Sequence, residues 1–210
     1  MPGRLITFEG PEGSGKTTQA ALLAERLEQA GEQVLRVREP GGTALGEAIR
    51  DLLQHDAAGE PPCDRAEALL FAAARAELTT RVILPALEEG VWVICDRFID
   101  STLAYQGFGR GMDLEALVRL NAFATRGRKP DLTLLLDIEV EEGFRRLARR
   151  PGRPDRFERE AQDFHRRVRE GYLRLAALEP DRFERIDASG PPEEVAEAVW
   201  KAVAKLRAAE

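Results

Sequence analysis

Five short apolar runs recur along the chain: Leu5–Phe8, Val34–Arg38, Val91–Cys95, Leu132–Asp137 and Phe183–Ile186. Several are near-continuously apolar, as strands buried on both faces of a parallel sheet must be. Segments with helical spacing lie between them. The first, Lys16–Ala30, stops at Gly31, a residue type that accepts the left-handed conformation after a helix. The others span about Leu45–Gln54, Asp64–Glu88, Leu114–Thr125, Val140–Arg149, Arg156–Leu178 and Pro192–Ala208. Pro85 lacks an N–H and is expected to end or bend its helix. No repeat, low-complexity tract or long linker interrupts the alternation. It predicts an α/β fold with a five-stranded parallel sheet surrounded by helices. Ligands in such folds sit at the carboxyl ends of the strands.

Composition narrows the class. The 210 residues suffice for a single domain, 1–210, with a large core. The formal charge of −6 disfavours a generic nucleic-acid or membrane-surface binder. The sum conceals a bias. Lys16, Lys129, Lys201 and Lys205 are the only lysines among 31 basic residues, so the rest are arginine. Seven arginines between Arg145 and Arg159, against Asp155 and Glu158, give that window +5 and leave −11 for the remainder. Two cysteines, Cys63 and Cys95, are too few for a disulfide framework. No apolar stretch approaches the roughly 18 residues that span a bilayer. The first residues enter a strand-like run at once, without a signal-peptide pattern. A cytoplasmic protein is the expectation.

Gly10-Pro11-Glu12-Gly13-Ser14-Gly15-Lys16-Thr17 matches G-x-x-x-x-G-K-[ST], after the first strand and opening the first helix. Such a loop aims successive backbone N–H groups at phosphate oxygens, and the helix N-terminus adds a favourable dipole. Lys16 would reach the β- and γ-phosphates, and Thr17 would hold Mg²⁺. The guanine-reading Asn-Lys-x-Asp of GTPases is absent, because the sole asparagine, Asn121, precedes alanine. Asp187-Ala-Ser-Gly190 matches the short D-x-x-G of GTPase switches, but lies too near the C-terminus to serve as one. Asp96 ends the third apolar run, where a carboxylate can hold Mg²⁺ directly or through water, and Arg97 beside it can clamp a phosphate. A strand-end ion pair is the alternative for these two. Phe71 and Arg75, four apart, share a helix face that suits a nucleobase. The same spacing also describes a core ring with a snorkelling arginine.

Phe8–Thr18, Arg38-Glu39-Pro40-Gly41-Gly42-Thr43 and Asp96–Gly107, in that order and spacing, resemble bacterial thymidylate kinases over almost the whole chain. The resemblance implies transfer of the γ-phosphoryl of ATP to dTMP with Mg²⁺, a nucleoside monophosphate kinase fold with a mobile lid, and a homodimer. By it, Phe71 stacks on thymine, Arg75 hydrogen-bonds the base, Arg50 lines the dTMP pocket and Arg97 grips the dTMP phosphate. Ser101, Thr102 and Gln106 surround the base. Tyr105 packs under the sugar, and Glu12 and Glu39 lie near the 3′-hydroxyl and the phosphate and metal region. Thr18 completes the ATP-binding loop, and Phe98 replaces a Tyr or His common in the family. Ala74 stands where some members carry an acid.

Members place the catalytic arginine either in the phosphate loop or in the lid. The loop positions Pro11, Glu12, Gly13 and Ser14 carry no base, whereas the stretch about 149–160 is arginine-rich. Arg149, Arg153 and Arg156 are therefore the expected catalytic arginines, with Gly152 and its flanking prolines as the lid pivot. Arg145, Arg146 and Arg166–Arg169 read as solvated helix charges. Two alternatives remain open. One is a kinase for another monophosphate. The other is a nucleic-acid-binding ATPase using Arg145–Arg174, against which the acidic remainder and the lack of interleaved aromatics weigh.

Overall fold

The computed structural model describes residues 3–54, 59–151 and 154–208. Its five strands are β1 (Leu5–Glu9), β2 (Val34–Arg38), β3 (Trp92–Asp96), β4 (Leu132–Asp137) and β5 (Phe183–Asp187). They form one parallel sheet in the order β2-β3-β1-β4-β5. Leu5 pairs with Val93, Ile6 with Leu132, Leu35 with Val93 and Thr133 with Phe183. β1 and β4 are buried along their whole length, which is why their sequences do not alternate. Their side chains still point to opposite faces. Ile6, Phe8, Leu134 and Leu136 pack with Leu23, Leu27, Val199 and Val203. Leu5 joins Leu78, Ile83, Val93 and Phe98 on the other side. Leu135 packs with Tyr105, Leu117, Phe164 and Tyr172.

The helices are α1 (Lys16–Gln29), α2 (Ala44–Gln54), α3 (Asp64–Leu78), α4 (Leu84–Glu88), α5 (Ile99–Thr102), α6 (Leu114–Thr125), α7 (Val140–Leu147), α8 (Gln162–Leu178) and α9 (Pro192–Ala208). The expected Asp64–Glu88 helix is α3 joined to α4 through a π-helical turn at Thr79–Ile83, just before Pro85. A widened turn accommodates the proline ring and its missing donor. A second π-helical turn, Leu103–Gly109, extends α5, and neither was anticipated from the sequence. α8 begins at Gln162 rather than Arg156. Residues before it form a separate turn held reciprocally: Glu158 N donates to Asp155 Oδ1 (2.9 Å), and Asp155 N donates to Glu158 Oε2 (3.1 Å). This is a capping box closing a single turn. Ala161 then turns extended (φ −62°, ψ 149°) and restarts the helix. Among the described residues no helix is long and apolar enough to cross a membrane.

Candidate functional site

The carboxyl ends of the three adjoining strands β2, β3 and β1 bring Glu39, Asp96, Arg97 and the glycine-rich loop to one edge of the sheet. There a cleft of about 790 Å³ is lined by Glu12 to Gln19, Arg38, Glu39, Arg50, Asp96, Arg97 and the segment from Arg146 to Arg150. The loop lies hard against α7. A Cβ on Gly13, which has φ +73°, would come within 2.3 Å of Gly143 O. A Cβ on Gly143 would meet Glu12 O at the same distance. Only glycine allows both the left-handed turn and that approach. Lys16 is 7% exposed. Its Nζ donates to Pro11 O (2.8 Å), Gly10 O (3.1 Å) and Ser14 Oγ (3.2 Å). Burial and the neighbouring Arg97 charge pull its pKa down to about 8. Thr17 Oγ1 donates to Asp96 Oδ2 at 2.6 Å, so hydroxyl and carboxylate converge in the cleft.

Arg97 has φ +68°, rare for a residue with a side chain. That backbone turns its guanidinium back across the loop. Nη1 donates to Gly10 O (3.2 Å), Ser101 Oγ (3.3 Å) and Tyr172 Oη (3.2 Å); Nη2 donates to Glu12 Oε1 (2.7 Å) and Tyr105 Oη (3.0 Å). Burial works against the Glu12 carboxylate, but Arg97, Lys16 and the Tyr105 hydroxyl outweigh it and hold its pKa at about 2. Beneath lies Glu9, fully buried. It accepts from Phe98 N (2.8 Å), Ser101 Oγ (2.6 Å) and Tyr172 Oη (2.8 Å). Burial, reinforced by Asp100, raises Glu9 to about 7 against these donors. On the far side of Arg97 a smaller pocket is walled by Phe71, Tyr105 and Phe157, with Ser101, Thr102 and Gln106 as its polar lining. Cleft and pocket share Glu12, Glu39, Gln54, Arg97 and Asp155. A cleft lined by the glycine-rich loop and a pocket walled by aromatic rings thus meet at five shared residues, Arg97 among them, as a donor and an acceptor nucleotide would require.

The sequence profile of the thymidylate kinase family matches residues 8–199. The chain belongs to the thymidylate kinase family. A thymidylate kinase of Synechococcus sp. (strain JA-2-3B'a(2-13)) is 56% identical over 198 residues, covering 94% of this chain and 93% of that one. That of Deinococcus radiodurans is 49% identical, with 97% of each covered. The crystal structure of the thymidylate kinase from Ehrlichia chaffeensis superposes with a TM-score of 0.79 at 36% identity, over 97% of this chain and 99% of that one.

Not every residue singled out by resemblance to the thymidylate kinase family reaches the cavity. Phe71, Ser101, Thr102, Tyr105 and Gln106 line the pocket, and Arg50 lines the cleft, donating to Pro40 O at 3.0 Å. Burial and Arg38 push the Arg50 pKa down. Arg75 is 1% exposed and committed elsewhere. It donates to Glu39 Oε2 (2.8 Å), Thr102 Oγ1 (2.8 Å), Asn121 Oδ1 (2.7 Å) and Phe98 O (3.1 Å). It props the pocket rather than facing it. The other Glu39 oxygen, Oε1, is buried with no hydrogen-bond partner in a residue lining both cavities.

The expected lid arginines also separate. Arg149 is exposed at the cleft. Arg150 pairs with Glu158 at 2.5 Å. Arg153 and Gly152 lie outside the described residues. Arg156 does not come to the phosphate loop: its guanidinium is buried against Glu67 (2.7 Å) and Leu53 O (2.8 Å). Glu9, Tyr172, Phe157 and the Ala188–Pro192 loop were missed by sequence reading. Glu9 and Tyr172 are 163 positions apart, so no local pattern joins them. The Ala188–Pro192 loop, passed over as a chance D-x-x-G match, lines the cleft.

Proposed function

We propose that this chain transfers the γ-phosphoryl group of ATP to dTMP, forming dTDP and ADP. The observation that carries the reading is the sharing of Arg97 and Glu12 by the phosphate cleft and the aromatic pocket. In it, ATP phosphates lie on the Gly10–Thr18 loop and Lys16, thymine stacks on Phe71, and the ring of Tyr105 sits under the sugar. Arg97 grips the acceptor phosphate, already anionic at neutral pH, so no general base is needed. What remains is to bring two polyanions in line and neutralise them away from water, the work of Lys16, Arg97 and an arginine from the cover. Arg149, on the cleft wall, is the described candidate for that arginine.

Thr17 and Asp96 offer only hard oxygens, which suits Mg²⁺. When bound there, Mg²⁺ neutralises phosphate charge. We assign the chain one kinase domain whose lid is about 149–160. A cytoplasmic setting accords with free Cys63 and Cys95. A homodimer would cover the apolar side of α3 and α6, where Leu69, Val118 and Phe123 are 59%, 50% and 85% exposed.

The test is ADP release from ATP with dTMP, dUMP, dCMP, dGMP or AMP. Turnover of dTMP is expected. dUMP should react less well, because one methyl group contributes only about 1–3 kcal/mol of discrimination. Robust turnover of another monophosphate with none of dTMP overturns the reading.

A further inference from the structure

Outside both cavities, Glu67 is a fully buried carboxylate in the first turn of α3. Its two oxygens gather donors from two separate segments, the turn that carries Gln106 and Arg110 and the arm that carries Arg156. Oε1 accepts from Gln106 Nε2 at 2.8 Å and Arg110 Nε at 3.4 Å. Oε2 accepts from Arg156 Nη2 at 2.7 Å and Arg110 Nη2 at 3.2 Å. Arg110 also pairs with Glu160 at 2.6 Å. Arg156, Glu67, Arg110 and Glu160 therefore form a chain of alternating charge. Its two inner members belong to the body of the fold and its two outer members to the arm leading into α8. Arg156 adds a backbone bond, its N–H to Gln54 O (3.2 Å), and a side-chain bond to Leu53 O (2.8 Å), which tie the arm to the end of α2 as well. A buried carboxylate shared this way cannot lose one guanidinium cheaply, because the charge left behind is desolvated.

What the latch holds is the next residue. The Phe157 ring lies under the Arg156 guanidinium (4.4 Å), is 4% exposed, and stands 5.7 Å from Phe71 and 6.0 Å from Tyr105. It supplies one wall of the aromatic pocket, although it comes from the arm and not from the body. Neither Glu67 nor Arg156 lines that pocket. We propose that Arg156, anchored on Glu67, is a positioning residue that holds Phe157 as the outer wall of the nucleobase pocket, so that acceptor affinity depends on an ion pair outside it. The inference rests on the reading of the pocket as the dTMP site. It removes Arg156 from the residues that meet the transferred phosphate.

Arg156→Met, Phe157→Ala and their double variant in the full chain test it by titration calorimetry of dTMP binding and steady-state kinetics. Arg156→Met should weaken dTMP binding about tenfold, the worth of a displaced aromatic wall. The KM for ATP and kcat should stay within about twofold. Phe157→Ala should weaken dTMP alike, and adding Arg156→Met to it should change dTMP affinity by less than about twofold. The double variant is the readout that a merely structural latch would not produce. Arg156→Lys retains the charge for the case in which Arg156→Met does not fold, and should recover part of the affinity.

Three results would overturn the proposal: a fall in kcat of about a hundredfold or more at unchanged dTMP affinity, unaltered affinity in Phe157→Ala, or additive effects in the double variant. Absence of dTMP turnover in the parent protein would instead overturn the function and this inference together. Turnover with unmoved dTMP affinity in the variants overturns the inference alone.

Discussion

Replacing Lys16 by methionine separates what the residue does for transfer from what it does to the fold. The stem is kept and the charge removed. Burial and Arg97 lower the Lys16 pKa from 10.5 to about 8 in the folded chain without nucleotide. At about 1.4 kcal/mol per unit, keeping that lysine protonated costs the folded state about 3 kcal/mol below pH 8. Against this, Pro11 O keeps only the long bond from Ser14 N (3.4 Å), Ser14 Oγ loses its donor, and Gly10 O keeps Arg97. One orphaned and one weakened acceptor cost about 2 kcal/mol together. The variant should therefore be more stable than the parent at pH 7 by about 1 kcal/mol, or about 2–4 °C in Tm for a chain of this length. Between pH 8 and 10.5 the folded parent releases the proton that its unfolded chain still binds, so the parent gains stability with rising pH. The difference should then change sign, leaving the variant about 2 kcal/mol the weaker above pH 10. Urea unfolding of the nucleotide-free proteins, followed by Trp92 and Trp200 fluorescence at pH 7 and 10, measures both values. Phosphoryl transfer should fall by about a thousandfold over the same variant. A stability difference independent of pH over that range would refute the reasoning.

Arg97→Met removes the strongest counter-charge of Glu12. A carboxyl held at about 2 stabilises the fold above its unfolded pKa of about 4.5, and that contribution disappears as the pH falls through 2. The variant should lose about 3 kcal/mol at pH 7 and progressively less below pH 4, as read by chemical denaturation. Equal loss at pH 7 and pH 2 would count against the assignment. Arg149→Ala should lower kcat by about a hundredfold or more while leaving dTMP affinity nearly unchanged, measured by steady-state kinetics beside calorimetry. An unchanged kcat would return Arg149 to a solvated surface charge. Phe123→Glu should convert a dimer to a monomer in sedimentation velocity, and a monomeric parent would remove the α3–α6 face from consideration.

What was legible in the sequence depended on the range of the interaction. The phosphate loop is local: eight residues between a strand and a helix specify it, and Lys16 and Thr17 stand in the cleft. The five strands are likewise local, since burial on both faces leaves an apolar run that periodicity detects. Ile99–Gly109 escaped because its turns bury polar Asp100, Thr102 and Gln106 beside apolar residues, leaving no amphipathic stripe. Phe71 and Arg75 share a helix face as their spacing implies. Which of them reaches the pocket was decided elsewhere, because Glu39, Phe98, Thr102 and Asn121 claim the Arg75 donors from up to 46 positions away. A guanidinium has five donors and no preference of its own for a base over a buried carboxylate. Sequence spacing sets its direction, and tertiary packing sets its partner.

The same distinction governs the arginine window. Counted as charge, residues 145–159 form a +5 patch suited to covering two polyanions. Resolved into contacts, four of its seven arginines already hold a carboxylate. Arg145 and Arg146 pair with Glu142, Arg150 with Glu158, and Arg156 with Glu67. Two of those acids lie outside the window, so a window sum counts the cations and omits the partners. Arg149 is different, exposed on the wall of the cleft that Lys16 and Asp96 also line. An arginine already bound to a carboxylate must break that contact before it can neutralise a phosphoryl group, which subtracts from what it contributes in the transition state. An unengaged one contributes its full interaction there. The patch is better divided by what each arginine already holds than by how many there are. On that criterion Arg149 is the described arginine we propose for transfer, and Arg156 the one we propose to hold the arm that carries Phe157 to the aromatic pocket.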